Sequence, residues 1–310
     1  VASRISEKYG VPCIILSSEG DISCGSGRSF EGFSLYNAIN AVKDLTVKFG
    51  GHEQAAGITL KTEDIDEFRR RINEYARGCE FATPKLSLDC KLNPSALSLD
   101  LAFALKVLEP YGNANQIPLF GVFGARLDRI TPIGNNKHLR LLFSKGSNSF
   151  QALLFGVKSE EFCFEIGDVL DLAVNIDANY FKGEYSVSVQ IKAIRLSATD
   201  DEKLFNDLKD YNDFMSGNPQ DTDSLLPTRE EVGEVYRYIL EKSVLEERVK
   251  YLFRNKIGFG KTLVAIKTLE ELGLIENISG RLSGVYGAVK TSLMNSKTFK
   301  TLSERSGVYE

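Results

Sequence analysis

The sequence has 310 residues, 43% apolar and 26% charged, with a net charge of −4, enough apolar chain for two or three buried cores. That balance excludes a protein held to nucleic acid by bulk positive charge, and no apolar run approaches the roughly 18 residues that a membrane-spanning helix needs. Cys13, Cys24, Cys79, Cys90 and Cys163 form no CxxC pair, which favours reduced thiols in a cytoplasmic protein over a disulfide framework or a zinc site.

In chain order, "VASRISEKYG" carries no secretory pattern and reads as a helix already under way, so a fragment lacking an N-terminal partner domain is expected. "VPCIIL" (11–16) is a continuous apolar run, as in a strand buried on both faces. "ISCGSGRS" returns as a second strand, and a helix over 34–45 places Leu35, Ile39 and Val42 on one face. After "FGGHEQAAG" (49–57) comes the short strand "GITL". A helix capped by Thr62 follows, with Ile65, Phe68, Ile72 and Tyr75 as its apolar stripe. Residues 1–80 are thus expected to be a small mixed α/β domain.

Residues 84–198 open with a strand near Leu86 and a helix carrying Leu101, Leu105 and Leu108, ended by "EPYGNANQIP". Period-two runs follow: "HLRLLF", "QALLF", "DVLDLAVNI" and "YSVSVQIKAI". In the third, Leu170, Leu172, Val174 and Ile176 point one way, Asp171 and Asn175 the other. Short strands joined by Gly-Asn and Gly-Asp turns predict an OB-type β-barrel. Residues 199–228 read as an acidic linker, loosest at "SGNPQDTDS", with seven acids against two bases over 201–228. Residues 229–310 carry a net +3, three helix patterns (229–242, 245–255, 261–272) and the hairpin "GLIENISGRLSGVYG", an order that fits a winged helix. The predicted fold class is therefore multidomain α/β plus β with a helical C-terminal domain.

Two turns in the first segment suit an anion. Gly50 and Gly51 can adopt positive φ and bare their backbone N–H groups as a nest, and His52 can add a hydrogen bond or charge. GGH alone fits a plain tight turn with a backbone-bonded histidine better. In "GSGRS" (25–29), Ser26 and Ser29 add hydroxyls and Arg28 a fork suited to phosphate, although a solvated hairpin end fits as well. If both turns reach one sheet edge, they make one phosphate-sized pocket. In "NYFKGEYS" (179–186), Tyr180, Phe181 and Tyr185 surround Lys182, either as a stacking platform for unpaired bases or as rings covering the barrel mouth. Lys137 and Arg140 fit a solvated face better. "GFGKT" (258–262) fails as a P-loop because Asn255 stands where the leading glycine belongs. It starts the third tail helix instead, the position of a recognition helix, for which duplex DNA and a docked protein are both open.

"GSGRS" followed by "FGGHEQAAG" closely resembles the DHHA1 domain and its GGH-x-x-AAG stretch. "LEPYGNANQIPLF" is similar to the LEPFG-x-GNP-x-P-x-F segment of RecJ-type single-stranded-DNA-specific exonucleases, and "HLRLLF" to the start of their OB domain. "VASRISEKYGVPCIIL" resembles the junction between the family's catalytic DHH domain and DHHA1, and the tail looks like the extra C-terminal domain of some bacterial members. Ala114 and Gln116 depart from the GNP pattern.

The resemblance implies the C-terminal part of a 5′-to-3′ exonuclease of DNA repair and recombination. Ser26, Arg28, Ser29, Gly50, Gly51 and His52 would bind phosphate, and the barrel would contact single-stranded DNA. The C-terminal domain could meet single-stranded-DNA-binding protein or other repair proteins. The family's metal-binding Asp/His motifs are absent, and His52 and His138 are the only histidines. The resemblance thus places Mn²⁺ or Mg²⁺ and all catalytic residues in a missing DHH domain, with none in this chain, which alone should be inactive. Two other functions fit the residues: a stand-alone single-strand-binding module, and a DHH-type phosphodiesterase of short RNA or cyclic dinucleotides.

Overall fold

The computed structural model describes residues 1–30, 32–79, 86–112, 115–217, 223–289 and 291–307. Ala114 and part of "SGNPQDTDS" (218–222) lie outside the described residues. The chain divides into two compact units, Val1–Leu86 and Ser87–Glu310.

The first unit runs α1 (Ala2–Tyr9), β1 (Cys13–Glu19), β2 (Ile22–Arg28), α2 (Leu35–Asn40), β3 (Thr46–Gly51), β4 (Ala55–Lys61) and α3 (Ile65–Arg77). Its strands form one antiparallel sheet in the order β1-β2-β4-β3. Ser34 starts α2 by accepting a hydrogen bond from the Asn37 N–H. The helix then buries Leu35, Ala38 and Ile39, with Val42 and Phe68 of α3, against Ala56, Ile58 and Leu60. Gly27 faces this core, where a Cβ would lie 2.5 Å from Leu35 Cδ2; the glycine lets α2 seat on the sheet.

Two expectations are corrected here. The apolar run 11–16 belongs to an edge strand, half-buried at Cys13–Leu16 and, among the described residues, paired only with β2. Its apolar character reflects α1, which packs on β1 and β2, with Cys13 Sγ donating to the Ala2 carbonyl. Thr62 does not cap α3; it sits in a 3-10 turn, with Oγ1 donating to the Gly20 carbonyl.

In the second unit, β5 is only Cys90–Lys91, the expected strand near Leu86 being displaced to it, and α4 spans Leu99–Leu105. Five strands follow: β6 (Phe120–Ile133), β7 (His138–Lys145), β8 (Asn148–Phe155), β9 (Val169–Phe181) and β10 (Glu184–Leu196). The pairings β6–β7, β7–β8, β8–β10, β10–β9 and β9–β6 close them into a ring. Alternation fills its interior with Leu127, Leu139, Leu141, Phe143, Leu170 and Val174, all at 0% exposure. Strand β6 joins both sides of the ring and was not among the period-two runs. Glycines 121 and 124 interrupt its pattern, and the register shifts between Val122 and Ala125.

The rest comprises α5 (Asp201–Met215), α6 (Arg229–Glu241), β11 (Val244–Leu245), α7 (Glu246–Phe253), α8 (Phe259–Glu271), β12 (Ile275–Ile278), β13 (Arg281–Gly284) and α9 (Lys297–Ser306). Thr228 and Glu231 form a capping box at the start of α6. The three short strands make a sheet in the order β11-β13-β12.

Among the described residues of the stretch read as a linker, α5 and Leu225 are packed. Asp207 of α5 accepts from the Phe259 and Gly260 N–H groups at the start of α8, and Phe214 joins Leu225, Val264 and Leu302 in a small core. Helix α8 is consequently enclosed: from Phe259 to Glu270 no residue is exposed. A helix read by a DNA groove needs a free face, so the expectation that α8 is a recognition helix is overturned.

The barrel and this helical part are bolted together through ions. Arg248, buried in α7, gives both terminal nitrogens to Asp168 and lies 3.5 Å from Glu165. Burial alone would lower the Arg248 pKa, but the hydrogen bonds and charge of Asp168 raise it instead. Lys242 also pairs with Glu165, and Arg254 donates to the Ser197 carbonyl.

Candidate nucleic-acid interface

The first unit's sheet has one face against α2 and α3 and one partly bare. Alternation decides which residues lie on the bare side. The register aligns Ser26 of β2 with Gly57 of β4 and Gly50 of β3. All three are exposed. A Cβ on Gly50 would meet no atom within 4 Å, and one on Gly57 only the Gly50 carbonyl oxygen at 3.9 Å. This row is a floor of backbone with a single hydroxyl.

Two residues along each strand, about 7 Å away, a second row holds Arg28 and Ala55, with His52 tied to Ala55 by paired backbone hydrogen bonds of 2.7 and 3.3 Å. On the other side a third row holds Cys24, Thr59 and Lys48.

The two glycine-rich turns thus meet at one sheet end. The Ser29 N–H donates to the Gln54 carbonyl at 2.9 Å and the Leu35 N–H to the Glu53 carbonyl at 2.8 Å, tethering the end of β2 to the β3–β4 turn. Ser29 Oγ donates to the Phe33 carbonyl, leaving its lone pairs to accept. Arg28 Nη1 donates to the Gly27 carbonyl, and among the described residues Arg28 and Lys48 form no ion pair.

One expected detail is corrected. Only Gly51 has positive φ, at 149°; Gly50 is extended strand, and the His52 N–H is consumed by the Ala55 carbonyl. The expected nest is instead a flat, bare floor flanked by Arg28, His52 and Lys48. Sequence reasoning missed Lys48 and Gly57, although counting by twos from Gly50 and from Ala55 places both on this face.

In the second unit, Lys182 (φ 51°) and Gly183 (φ 91°) form the tight turn between β9 and β10. Tyr180 and Tyr185 are cross-strand partners with ring centroids 4.8 Å apart. They continue the inward-facing rows of β9 and β10 beyond the closed barrel, and Tyr185 meets Phe103 of α4 edge-on at 5.1 Å. Phe181 points to the opposite face, with Lys182 Nζ 5.4 Å from its ring centre. The four candidates therefore share a hairpin but not a face. Lys137 and Arg140 are exposed on the β6–β7 turn and on β7. His138 is occupied structurally: Nδ1 accepts from the Gly156 N–H and the ring stacks edge-on with Phe155.

The N-terminus of α8, in "GFGKT", is filled by the Asp207 carboxylate, which leaves no room for a phosphate. Among the described residues no group of three or more His, Cys, Asp or Glu side chains could hold a metal ion. The described residues therefore do not fit a two-metal centre.

Residues 1–78 match the DHHA1 domain and residues 88–193 the RecJ OB domain. The single-stranded-DNA-specific exonuclease RecJ of Bacillus subtilis is 32% identical over 161 residues, covering 50% of this chain and 20% of that protein. The RecJ proteins of Salmonella typhimurium and Escherichia coli are 29% and 28% identical, each covering 63% of this chain and 35% of theirs. The chain thus spans about a third or less of these relatives. The crystal structure of RecJ from Thermus thermophilus in complex with Mg²⁺ is similar at 25% identity and a TM-score of 0.52, over 64% of this chain and 30% of that one. Its Mn²⁺ complex gives 0.53, covering 64% and 28%. The chain is therefore of RecJ type, carrying a DHHA1 domain followed by a RecJ OB domain.

Proposed function

We propose that this chain is the substrate-gripping C-terminal portion of a single-stranded-DNA-specific 5′-to-3′ exonuclease acting in DNA repair and recombination. The observation that carries the reading is the register that sets Ser26, Arg28 and Ser29 beside Gly50, Gly51 and His52 around a bare floor. A phosphate laid on that floor meets the Arg28 fork and the His52 ring at one end, and only Gly-sized neighbours let it come so close. Hydrolysis, with Mn²⁺ or Mg²⁺, belongs to a DHH domain outside this chain, so the chain alone binds and does not cut.

The closed ring of β6 to β10 has the strand order of an OB barrel. There the β9–β10 turn and the β6–β7 turn are the two loops that hold oligonucleotides, which supports a second contact with the strand at Tyr180, Phe181, Lys182 and Tyr185. The RecJ OB match favours long single strands over dinucleotides as ligand. The order α6-β11-α7-α8-β12-β13 supports a winged-helix ancestry for the tail. With α8 enclosed, that tail meets proteins, such as single-stranded-DNA-binding protein, rather than duplex.

The test is binding of the chain at low salt to an oligonucleotide bearing either a 5′-phosphate or a 5′-hydroxyl. The phosphate is expected to tighten binding, and Arg28→Ala or His52→Ala to remove that preference. Indifference to the 5′ group, with both variants unchanged, would sink the assignment.

A further inference from the structure

Resting on single strands as the ligand, we propose that α4 supplies part of the barrel's base-stacking surface, with Phe103 as an additional stacking ring and Lys106 as its phosphate contact. Helix α4 is short and two-sided. Ala102 is 1% exposed and Leu99, Leu101 and Leu105 pack on the barrel core, whereas Phe103 is 41% exposed. A phenylalanine on the outer side of a helix whose inner side already seals the core is not needed for that core.

What it touches gives it a use. Its ring stands edge-on to Tyr185, which in turn lies against Tyr180, so three rings from three elements form one chain, at spacings of 5.1 and 4.8 Å. Tyr180 and Tyr185 remain 61% and 49% exposed. A cation stands at one end, where Lys106 Nζ lies 5.7 Å from the Phe103 ring centre; Lys182, at the hairpin tip, lies over Phe181 on the opposite face.

Rings with open faces and a lysine beside them match the two requirements of an unpaired strand, π-faces for its bases and cations for its phosphates. A purely apolar partner would need the rings but not the lysine. Glu184 is the cross-strand partner of Phe181, so the hairpin tip carries an acid next to Lys182. The patch grips by stacking more than by charge, which separates it from the Arg28 floor.

The experiment is photocrosslinking of the full chain to an oligonucleotide carrying 5-iodouracil at successive positions, with crosslinked peptides identified by mass spectrometry, alongside affinity measured against salt. Crosslinks are expected at Phe103, Tyr180 and Tyr185. Phe103→Ala should weaken binding about tenfold with an unchanged salt slope, Phe103→Tyr should restore it, and Lys106→Ala should make the slope shallower. The melting curve of Phe103→Ala should match that of the parent.

Crosslinks confined to β7 and β8, or wild-type affinity in Phe103→Ala while Arg28→Ala still weakens binding, would overturn this assignment and leave the phosphate floor standing. Loss of only the 5′-phosphate preference in Arg28→Ala, with crosslinks at the rings intact, would support both. No binding by the parent chain would overturn both.

Discussion

Gly50→Val separates a floor built for a ligand from one built for the fold. Gly50 is in extended backbone, and a Cβ there meets nothing within 4 Å. Valine also suits a strand, so stability should change by less than about 0.5 kcal/mol. Gly51 next to it behaves oppositely. Its φ is 149°, and a Cβ would lie 2.2 Å from the Ala55 carbonyl oxygen and 2.5 Å from Ala56 Cα, both backbone atoms that cannot step aside. Gly51→Ala should therefore cost at least the roughly 1–3 kcal/mol of a strained backbone position.

For binding the ranking reverses in kind. The valine methyls would stand between the Arg28 and Lys48 rows and lift a phosphate out of hydrogen-bonding range. Losing one charge-assisted hydrogen bond removes about 1.5–3 kcal/mol, which is roughly 10- to 150-fold in Kd. Thermal melting followed by circular dichroism reads the first quantity, and fluorescence anisotropy with a 5′-phosphorylated oligonucleotide reads the second. Parent-like melting together with parent-like affinity in Gly50→Val would refute the floor as a ligand surface.

Lys48→Ala should remove one phosphate contact and flatten the dependence of log K on log salt by about 0.7, read from titrations at several salt concentrations. Arg248→Ala leaves Asp168 without its guanidinium partner beside a cavity, while Glu165 keeps Lys242. Breaking a buried pair of this kind costs about 3–5 kcal/mol, which should lower the second unit's melting temperature by roughly 6–20 °C, checked by calorimetry. At Glu271, burial acts to raise the carboxyl pKa, but hydrogen bonds from the Thr298 N–H, Thr298 Oγ1 and Ser296 Oγ outweigh it and leave the pKa lowered. Its stabilising effect is thus present above the unfolded carboxyl range and lost as pH falls through the lowered folded value. Glu271→Gln should destabilise at pH 7 and approach the parent's stability in acid, followed by urea unfolding at both pH values.

Local pattern made much of this legible. Leu170, Leu172, Val174 and Ile176 sit inside the barrel because strict alternation leaves them no other side, and their exposures run from 0 to 6%. The tail helices begin and end within a few residues of their expected places, since Thr228 and Glu231 announce a helix start in sequence. What escaped was set by distant partners. Strand β6 hides behind glycines that a barrel needs and a periodicity count penalises. The enclosure of α8 depends on α5 and α9, and nothing within "GFGKTLVAIKTLEE" reveals which faces are covered. At the candidate site, the motif residues were visible as types, but their meeting required the β2–β4–β3 register. Phe181 shows the converse: proximity in sequence to Tyr180 places it on the other face of its strand.

The Asp207 carboxylate at the head of α8 bears on how the molecule can be dissected. A fragment begun at the apparent start of the tail, near Arg229, would leave behind the carboxylate that satisfies the Phe259 and Gly260 amides, together with Phe214 and Leu225. It would present a raw helix end and an uncovered apolar seat, inviting aggregation whatever its own sequence favours. Residues 201–215, acidic and unremarkable by composition, are therefore inseparable from the tail helices that pack on them, and any working boundary belongs upstream of Asp201.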